Sequence, residues 1–217
     1  MRVLILNQFF YPDISATSQL MTDLAEDLAL LGAQVTALCS NVSYVGGKSF
    51  ASSEIHGAVR IERVPVIAFN RENILRRIGS YLSFYISAFW RLLRLPRQDV
   101  ILVLTTPPLV AIVAYAIRLL RGSRMAYLVQ DLYPDIAYAF GMLKQKSVAG
   151  WMLDGIANFL LKRADVVIAL GSCMQERLLA KGVAAEKIHV IPNWADGTQI
   201  MPIAREGNPF RAAGSSA

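Results

Sequence analysis

Residues 1–31 read MRVLILNQFFYPDISATSQLMTDLAEDLALL, and the order of signals in this stretch decides the fold. Val3-Leu4-Ile5-Leu6 is an unbroken apolar run, the pattern of a strand buried on both faces. Asn7 to Ala16 follows as an extended loop, in which Pro12 excludes regular helix. Ser15 or Thr17 then caps a helix. Its Leu20, Leu24, Leu28 and Leu31 recur at helical spacing, with Thr22, Asp23, Glu26 and Asp27 on the other side. Gly32 ends the helix and Val35 to Cys39 supplies the next strand. The unit is β-α-β, and its first loop delivers backbone N–H groups at a helix N-terminus, a place suited to an anionic ligand.

The same alternation continues outward from this unit. Ser40 to Ala58 reads as a long polar loop, and Val59 to Val66 as a strand. Asp99 to Leu104 is a buried strand ending in Thr105-Thr106-Pro107-Pro108. A helix then runs Leu109 to Leu120 and is closed by Arg121-Gly122. Met125 to Val129 is a strand followed directly by Gln130-Asp131-Leu132-Tyr133-Pro134-Asp135. Ser147–Leu161 reads as helix, Asp165–Leu170 as strand, Ser172–Lys181 as a short helix and Lys187–Ile191 as a last strand, terminated by Pro192-Asn193-Trp194. About seven strands alternating with helices define an α/β fold, a doubly wound parallel sheet in three αβα layers. In the usual order the first and fourth strands are neighbours where the winding reverses. That brings Gln8–Ala16 beside Thr105–Pro108, with Gln130–Asp135 next door, so three loops converge on one crevice. Residues 1–196 make this domain. Past Asp196 no periodicity persists, and 197–217 reads as a tail or a truncated interdomain linker.

Bulk properties narrow the partners. A chain of 217 residues, 54% of them apolar, buries a sizeable core and is not disordered. Net charge +6 and pI 9.5 favour a polyanionic or anionic-membrane partner. Nucleic acid is disfavoured, because no known reader motif occurs and the arginines gather in one apolar segment. Cys39 reads as a core residue, and neither it nor Cys173 has metal-ligand spacing, so no metal site is expected. His56 reads as an exposed loop residue and His189 as strand filler. The first loop lacks glycine, so neither a dinucleotide fingerprint nor a P-loop is present. The N-terminus lacks the order of a secretory signal, which makes the cytoplasm the default. Val100–Leu120, the longest apolar run, is split by Pro107-Pro108 into pieces too short for a bilayer of about 30 Å.

Asn73 to Leu95, NILRRIGSYLSFYISAFWRLLRL, is a helix with an unusual balance. Arg76, Ser80, Ser83, Ser87, Arg91 and Arg94 fall on one narrow polar stripe, and most of the remaining circumference is apolar or aromatic. Covering one sheet face takes only about 100° of apolar surface. The excess calls for a lid, a partner or lipid, and the arginines suit an anionic membrane surface. Arg76, Arg77, Phe84, Trp90, Arg91 and Arg94 are the expected membrane contacts. An ordinary core helix with solvated arginine ends is the alternative.

The strand-loop-helix with Phe10-Tyr11-Pro12-Asp13-Ile14, the Thr105-Thr106-Pro107-Pro108 turn, the Gln130–Asp135 loop and the strand ending Val190-Ile191-Pro192-Asn193-Trp194 together resemble the N-terminal domain of a GT-B glycosyltransferase of family four. The similarity is to bacterial enzymes that build capsule, colanic acid or O-antigen repeats on lipid carriers, and it covers about residues 1–196. It implies a Rossmann-like domain forming one half of the enzyme. It implies transfer of a sugar from a nucleotide-sugar, with retention, to a polyprenyl-diphosphate-linked saccharide, without bound metal or cofactor. The donor would be held mainly by a C-terminal domain carrying Glu-x₇-Glu, a motif expected to fall after residue 217, so this chain alone is expected to be inactive. The tail Ala212–Ala217 resembles a truncation. Location at the inner face of the plasma membrane follows from the same resemblance. By motif position, Asp131 carries over as the catalytic carboxylate. Tyr11, Ser15, Ala16, Thr17, Thr106, Tyr133, Asp135 and Asn193 carry over as acceptor- or donor-binding residues. Asp135 equally fits a helix cap, and Asn193 a turn. Ser15-Ala16 stands where many members have a glycine pair, which narrows any approach of phosphate to the helix N–H groups. A non-catalytic membrane-anchoring subunit that recruits a separate donor-binding chain is the other reading.

Overall fold

The computed structural model describes residues 1–45, 49–67, 74–195 and 197, with positions 74 and 75 described in backbone only. The N-terminal apolar run is strand β1 (Arg2–Leu6), buried from Val3 onward. Its loop leads into helix α1 (Ala16–Leu30), where the Ser18 N–H donates to the Ser15 hydroxyl at 3.2 Å, satisfying one of the first-turn donors. Strand β2 (Gln34–Ser40) then pairs parallel with β1, Leu4 opposite Thr36.

The segment 40–58, expected as loop, contains a strand. β3 (Ser53–His56) lies antiparallel to β4 (Val59–Val64), joined by Gly57-Ala58 with Gly57 at φ +57°. A two-residue turn with glycine in its first central position is the usual hairpin connection. Four residues of mixed polarity carry too little pattern to show as a strand in sequence.

The remaining elements are α2 (Ile74–Arg94), β5 (Val100–Val103), α3 (Ala111–Arg121), β6 (Arg124–Val129), α4 (Asp135–Ala139), α5 (Val148–Arg163), β7 (Val166–Ala169), α6 (Ser172–Ala180) and β8 (Ile188–Val190). Helix α3 begins at Ala111 rather than Leu109, because Leu109 takes φ +63° after the double proline. Gly122, at φ +67°, ends it as anticipated. Asn73, Gly46-Gly47 and the expected tail, Gly197 excepted, lie outside the described residues.

The strands form one eight-stranded sheet in the order β3-β4-β2-β1-β5-β6-β7-β8, parallel except for β3 at the edge. β1 and β5, the first and fourth of the anticipated strands, are neighbours at the reversal of winding. Alternation along β1 splits the core. Leu4 and Leu6 join Phe84, Ala88 and Leu92 of α2, Ala114 and Ile117 of α3, Leu160 of α5 and Leu178 of α6 on one face. Ile5 joins Met21 and Ala25 of α1 on the other. The sheet therefore carries four helices on one side and α1 on the opposite side. Its carboxyl edge, where the loops of the motifs emerge, is left as a crevice.

Helix α2 differs in orientation from the sequence expectation. Phe84 is 0% exposed, in the same buried cluster as Leu4 and Leu6 of β1 and Ile101 and Val103 of β5, so it is not a membrane contact. Ser80 is buried too, and Arg91 turns inward to Glu62 of β4. The outward stripe is instead Ile78, Leu82, Ile86 and Trp90, in four-residue steps along one helix face. Among the described residues no helix is long and apolar enough to cross a membrane.

Candidate active site

Backbone hydrogen bonds tie the crevice loops together. Gln8 N–H donates to the Thr106 carbonyl at 3.0 Å, and Ser40 N–H donates to the Gln8 carbonyl at 2.9 Å. Asp131 N–H donates to Thr105 Oγ1 at 3.2 Å. The Gln130 and Asn193 carboxamides exchange hydrogen bonds at 3.1 and 3.2 Å, which joins the loop after β6 to the segment after β8. Tyr85 of α2 donates its hydroxyl to the Pro108 carbonyl. The crevice floor is polar: Asn7 and Gln8 are buried at the end of β1, and Asn7 Oδ1 has no hydrogen-bond partner among the described residues.

Asp131 and Asp135 share a cavity of 360 Å³ with Gln130, Leu132, Cys173, Met174 and Arg177. The Asp131 carboxylate is half-buried and has no hydrogen-bond or ion-pair partner among the described residues. Burial pushes its pKa above the usual carboxylate value. Arg177 stands exposed on the same wall and is likewise unpaired among the described residues. Asp135 is committed elsewhere, accepting from Lys181 Nζ at 2.7 Å. It also opens α4, which agrees with a structural share in its role. An unpaired carboxylate and an unpaired guanidinium facing one cavity can orient a hydroxyl and receive an anionic group, respectively. Sequence reasoning missed Arg177, because α6 is brought to the loop after β6 by the sheet, not by sequence proximity.

The first loop is held separately. Asp13 is buried, with Oδ1 accepting from Ile14 N–H at 2.8 Å and Oδ2 from Tyr44 N–H at 2.5 Å. Tyr11 gives its carbonyl to Arg63 Nη2 at 2.6 Å, and its ring stacks on His56 at 3.7 Å. His56, expected as an exposed loop residue, is partly buried at the end of β3 and is also paired with Glu26 at 3.0 Å. Ser15 is taken up by its capping bond, Ala16 is exposed and Thr17 partly so. Thr106 and Tyr133 are partly buried and Asn193 is exposed. None of these residues lines the cavity of Asp131, so the structure places them around the crevice without gathering them on one ligand position. Among the described residues no three His, Cys, Asp or Glu side chains are grouped to hold a metal ion.

A doubly wound sheet with a polar crevice at its carboxyl edge is the architecture of one half of a GT-B glycosyltransferase, and solved structures agree. Sucrose-phosphate synthase from Thermosynechococcus elongatus superimposes with a TM-score of 0.72 at 15% identity, over 99% of this chain and 52% of that one. Anabaena HepE, solved with UDP and glucose, does so with a TM-score of 0.60 at 15% identity, over 99% and 50%. Residues 16–194 match the family model of the glycosyl transferase 4-like domain, and the chain belongs to that family. The probable glycosyltransferase WbjE of Pseudomonas aeruginosa is 29% identical over 146 residues, 65% of this chain and 36% of that protein. The putative colanic acid biosynthesis glycosyl transferase WcaI of Escherichia coli (strain K12) is 24% identical over 216 residues, 94% and 53%. The chain thus spans about a third to a half of the length of the curated relatives it matches.

Proposed function

We propose that this chain is the acceptor-side half of a retaining glycosyltransferase of surface-polysaccharide synthesis. The enzyme moves a sugar from a nucleotide-sugar to a polyprenyl-diphosphate-linked saccharide at the inner face of the plasma membrane. The observation that carries the reading is Asp131, a half-buried carboxylate, unpaired among the described residues, that faces a 360 Å³ cavity at the carboxyl edge of the sheet. Such a group accepts a hydrogen bond from an acceptor hydroxyl, or stabilises positive charge developing at the transferred sugar. Family membership, the UDP and glucose bound to HepE and the colanic acid role named for WcaI support the same chemistry. The donor is held mainly by a second domain. Tyr11, Ser15, Ala16, Thr17, Thr106, Tyr133 and Asn193 contribute acceptor or donor contacts around the crevice.

Membrane contact is the second part of the reading. Ile78, Leu82, Ile86 and Trp90 project from α2, and Ile112 projects from α3 beside them. Arg76 and Arg94 are exposed on α2 and Arg77 partly so. Each arginine near an anionic surface contributes about 1 kcal/mol. The test of the catalytic claim is Asp131→Asn in the full polypeptide, assayed for transfer from a nucleotide-sugar to a lipid-diphosphate saccharide. We expect kcat to fall by roughly 100-fold with the fold retained. An unchanged kcat would reduce Asp131 to a loop-ordering residue.

A further inference from the structure

A bilayer contact through the apolar stripe of α2 leaves one neighbouring feature unused. At the β3–β4 edge, beneath the second half of α2, lies a cavity of 610 Å³ walled by Ser52, Ser53, Glu62, Ser87, Arg91 and Arg94. Glu62 is the acid on this wall, and both of its oxygens are already taken. Oε1 accepts from Arg60 Nε at 2.6 Å and Oε2 from Arg91 Nη2 at 2.5 Å. Arg94 and the hydroxyls of Ser52, Ser53 and Ser87 have no partner among the described residues. The cavity therefore offers hydrogen-bond donors and a net positive charge, the surroundings that a phosphate group requires.

Ile86 and Trp90 belong to two walls at once. They close the polar cavity on one side, and on the other they line an apolar furrow of 250 Å³ between α2 and α3, with Phe89 and Ile112. Ile112 continues into a second apolar furrow of 350 Å³ between α3 and α5, beside Tyr115 and Phe159. The polar cavity and the apolar α2–α3 furrow thus share a two-residue ridge.

We propose that this is a site for one phospholipid molecule, its phosphate held by Arg94, Arg91 and the serine hydroxyls and one acyl chain laid across Ile86 and Trp90 into the furrow. The proposal rests on the membrane-contact reading above and goes beyond it, since a diffuse contact needs neither the donors nor the furrow. Charge complementarity selects an anionic headgroup, and the adjoining apolar furrow selects a lipid over a free anion.

The test uses dihexanoyl phosphatidate as a monomer, inorganic phosphate as the control, and calorimetric titration of the chain. We expect saturable one-to-one binding of dihexanoyl phosphatidate and at least about tenfold weaker binding of phosphate. Arg94→Gln should weaken phosphatidate binding roughly fivefold or more. Ile86→Asn should weaken phosphatidate binding and leave phosphate binding unchanged. Equal affinity for phosphate and phosphatidate would overturn the lipid assignment, and absence of saturable phosphatidate binding would overturn the site. Neither result touches the membrane reading, which is measured separately by sedimentation with vesicles and fails only if no vesicle binds.

Discussion

Arg91 and Glu62 give a sharp test of how α2 is seated. Glu62 is 1% exposed and its carboxylate is held by two guanidiniums, Arg60 on Oε1 and Arg91 on Oε2. Arg91→Leu removes both bonds to Oε2 and leaves that oxygen buried without a donor. Breaking a buried pair from one side costs about 3–5 kcal/mol, and Arg60 still holds the other oxygen, so about 3 kcal/mol is expected. For a domain of this size that lowers Tm by roughly 6–12 °C. Glu62→Gln has a smaller effect. It frees two guanidiniums whose side chains are 55% and 35% exposed, and both can turn to water. A loss of about 1 kcal/mol follows. Thermal unfolding followed by circular dichroism at neutral pH, on both variants and the double variant, is the assay. The double variant should be less destabilised than the sum of the two, because the partners act as a unit. Glu62→Gln costing as much as Arg91→Leu, or both shifting Tm negligibly, would refute the view that Arg91 anchors the helix to β4.

Three further outcomes follow from the same structure. Asp165 accepts from Arg118 Nε at 2.9 Å and Nη2 at 2.7 Å and from Met125 N–H at 2.8 Å, and the Arg118 hydrogen bonds hold its pKa below the usual carboxylate range. Its stabilisation is therefore present above the unfolded pKa of about 4 and lost as pH falls through the folded value. Asp165→Asn should cost about 1 kcal/mol at pH 7 and progressively less below about pH 4 in urea titrations; a pH-independent penalty would contradict the pairing. Phe84→Ala should cost about 3–5 kcal/mol, whereas Leu82→Ser should leave stability within about 0.5 kcal/mol and reduce sedimentation with anionic vesicles. That sedimentation should weaken in about 0.5 M salt; Leu82→Ser binding vesicles as well as the parent would move the contact away from α2. Burial raises the Asp131 pKa, so relief from its ionisation favours folding only at low pH, and Asp131→Asn should be neutral or stabilising at pH 7. A marked loss of stability in that variant would argue for a structural rather than functional carboxylate.

Much of the fold was legible because its signals are local. The run Val3–Leu6, the Ser15 cap, Gly122 after α3 and the buried strands of the later β-α units all announce themselves within a few residues. β3 was not legible, because pairing with β4 makes it a strand and its own residues do not. For α2 the helical spacing was readable but the inward face was not. Glu62 on β4 draws Arg91 inward, and Ser80 is carried into the core with Phe84, so the exposed stripe became Ile78, Leu82, Ile86 and Trp90. The site shows the same division. Asp131 stands just past a buried strand and is readable from sequence. Arg177 faces it only because the sheet sets α6 beside the loop after β6.

The claim that this chain is the acceptor-side half of a sugar-transferring enzyme is tested most directly by equilibrium binding to the chain itself. A short-chain polyprenyl-diphosphate saccharide and UDP-glucose are titrated in parallel against the parent and Asp131→Ala. The account predicts saturable binding of the lipid-linked saccharide, weakened in the variant, and no saturable binding of UDP-glucose up to about 1 mM. Tight binding of UDP-glucose with none of the saccharide would contradict it.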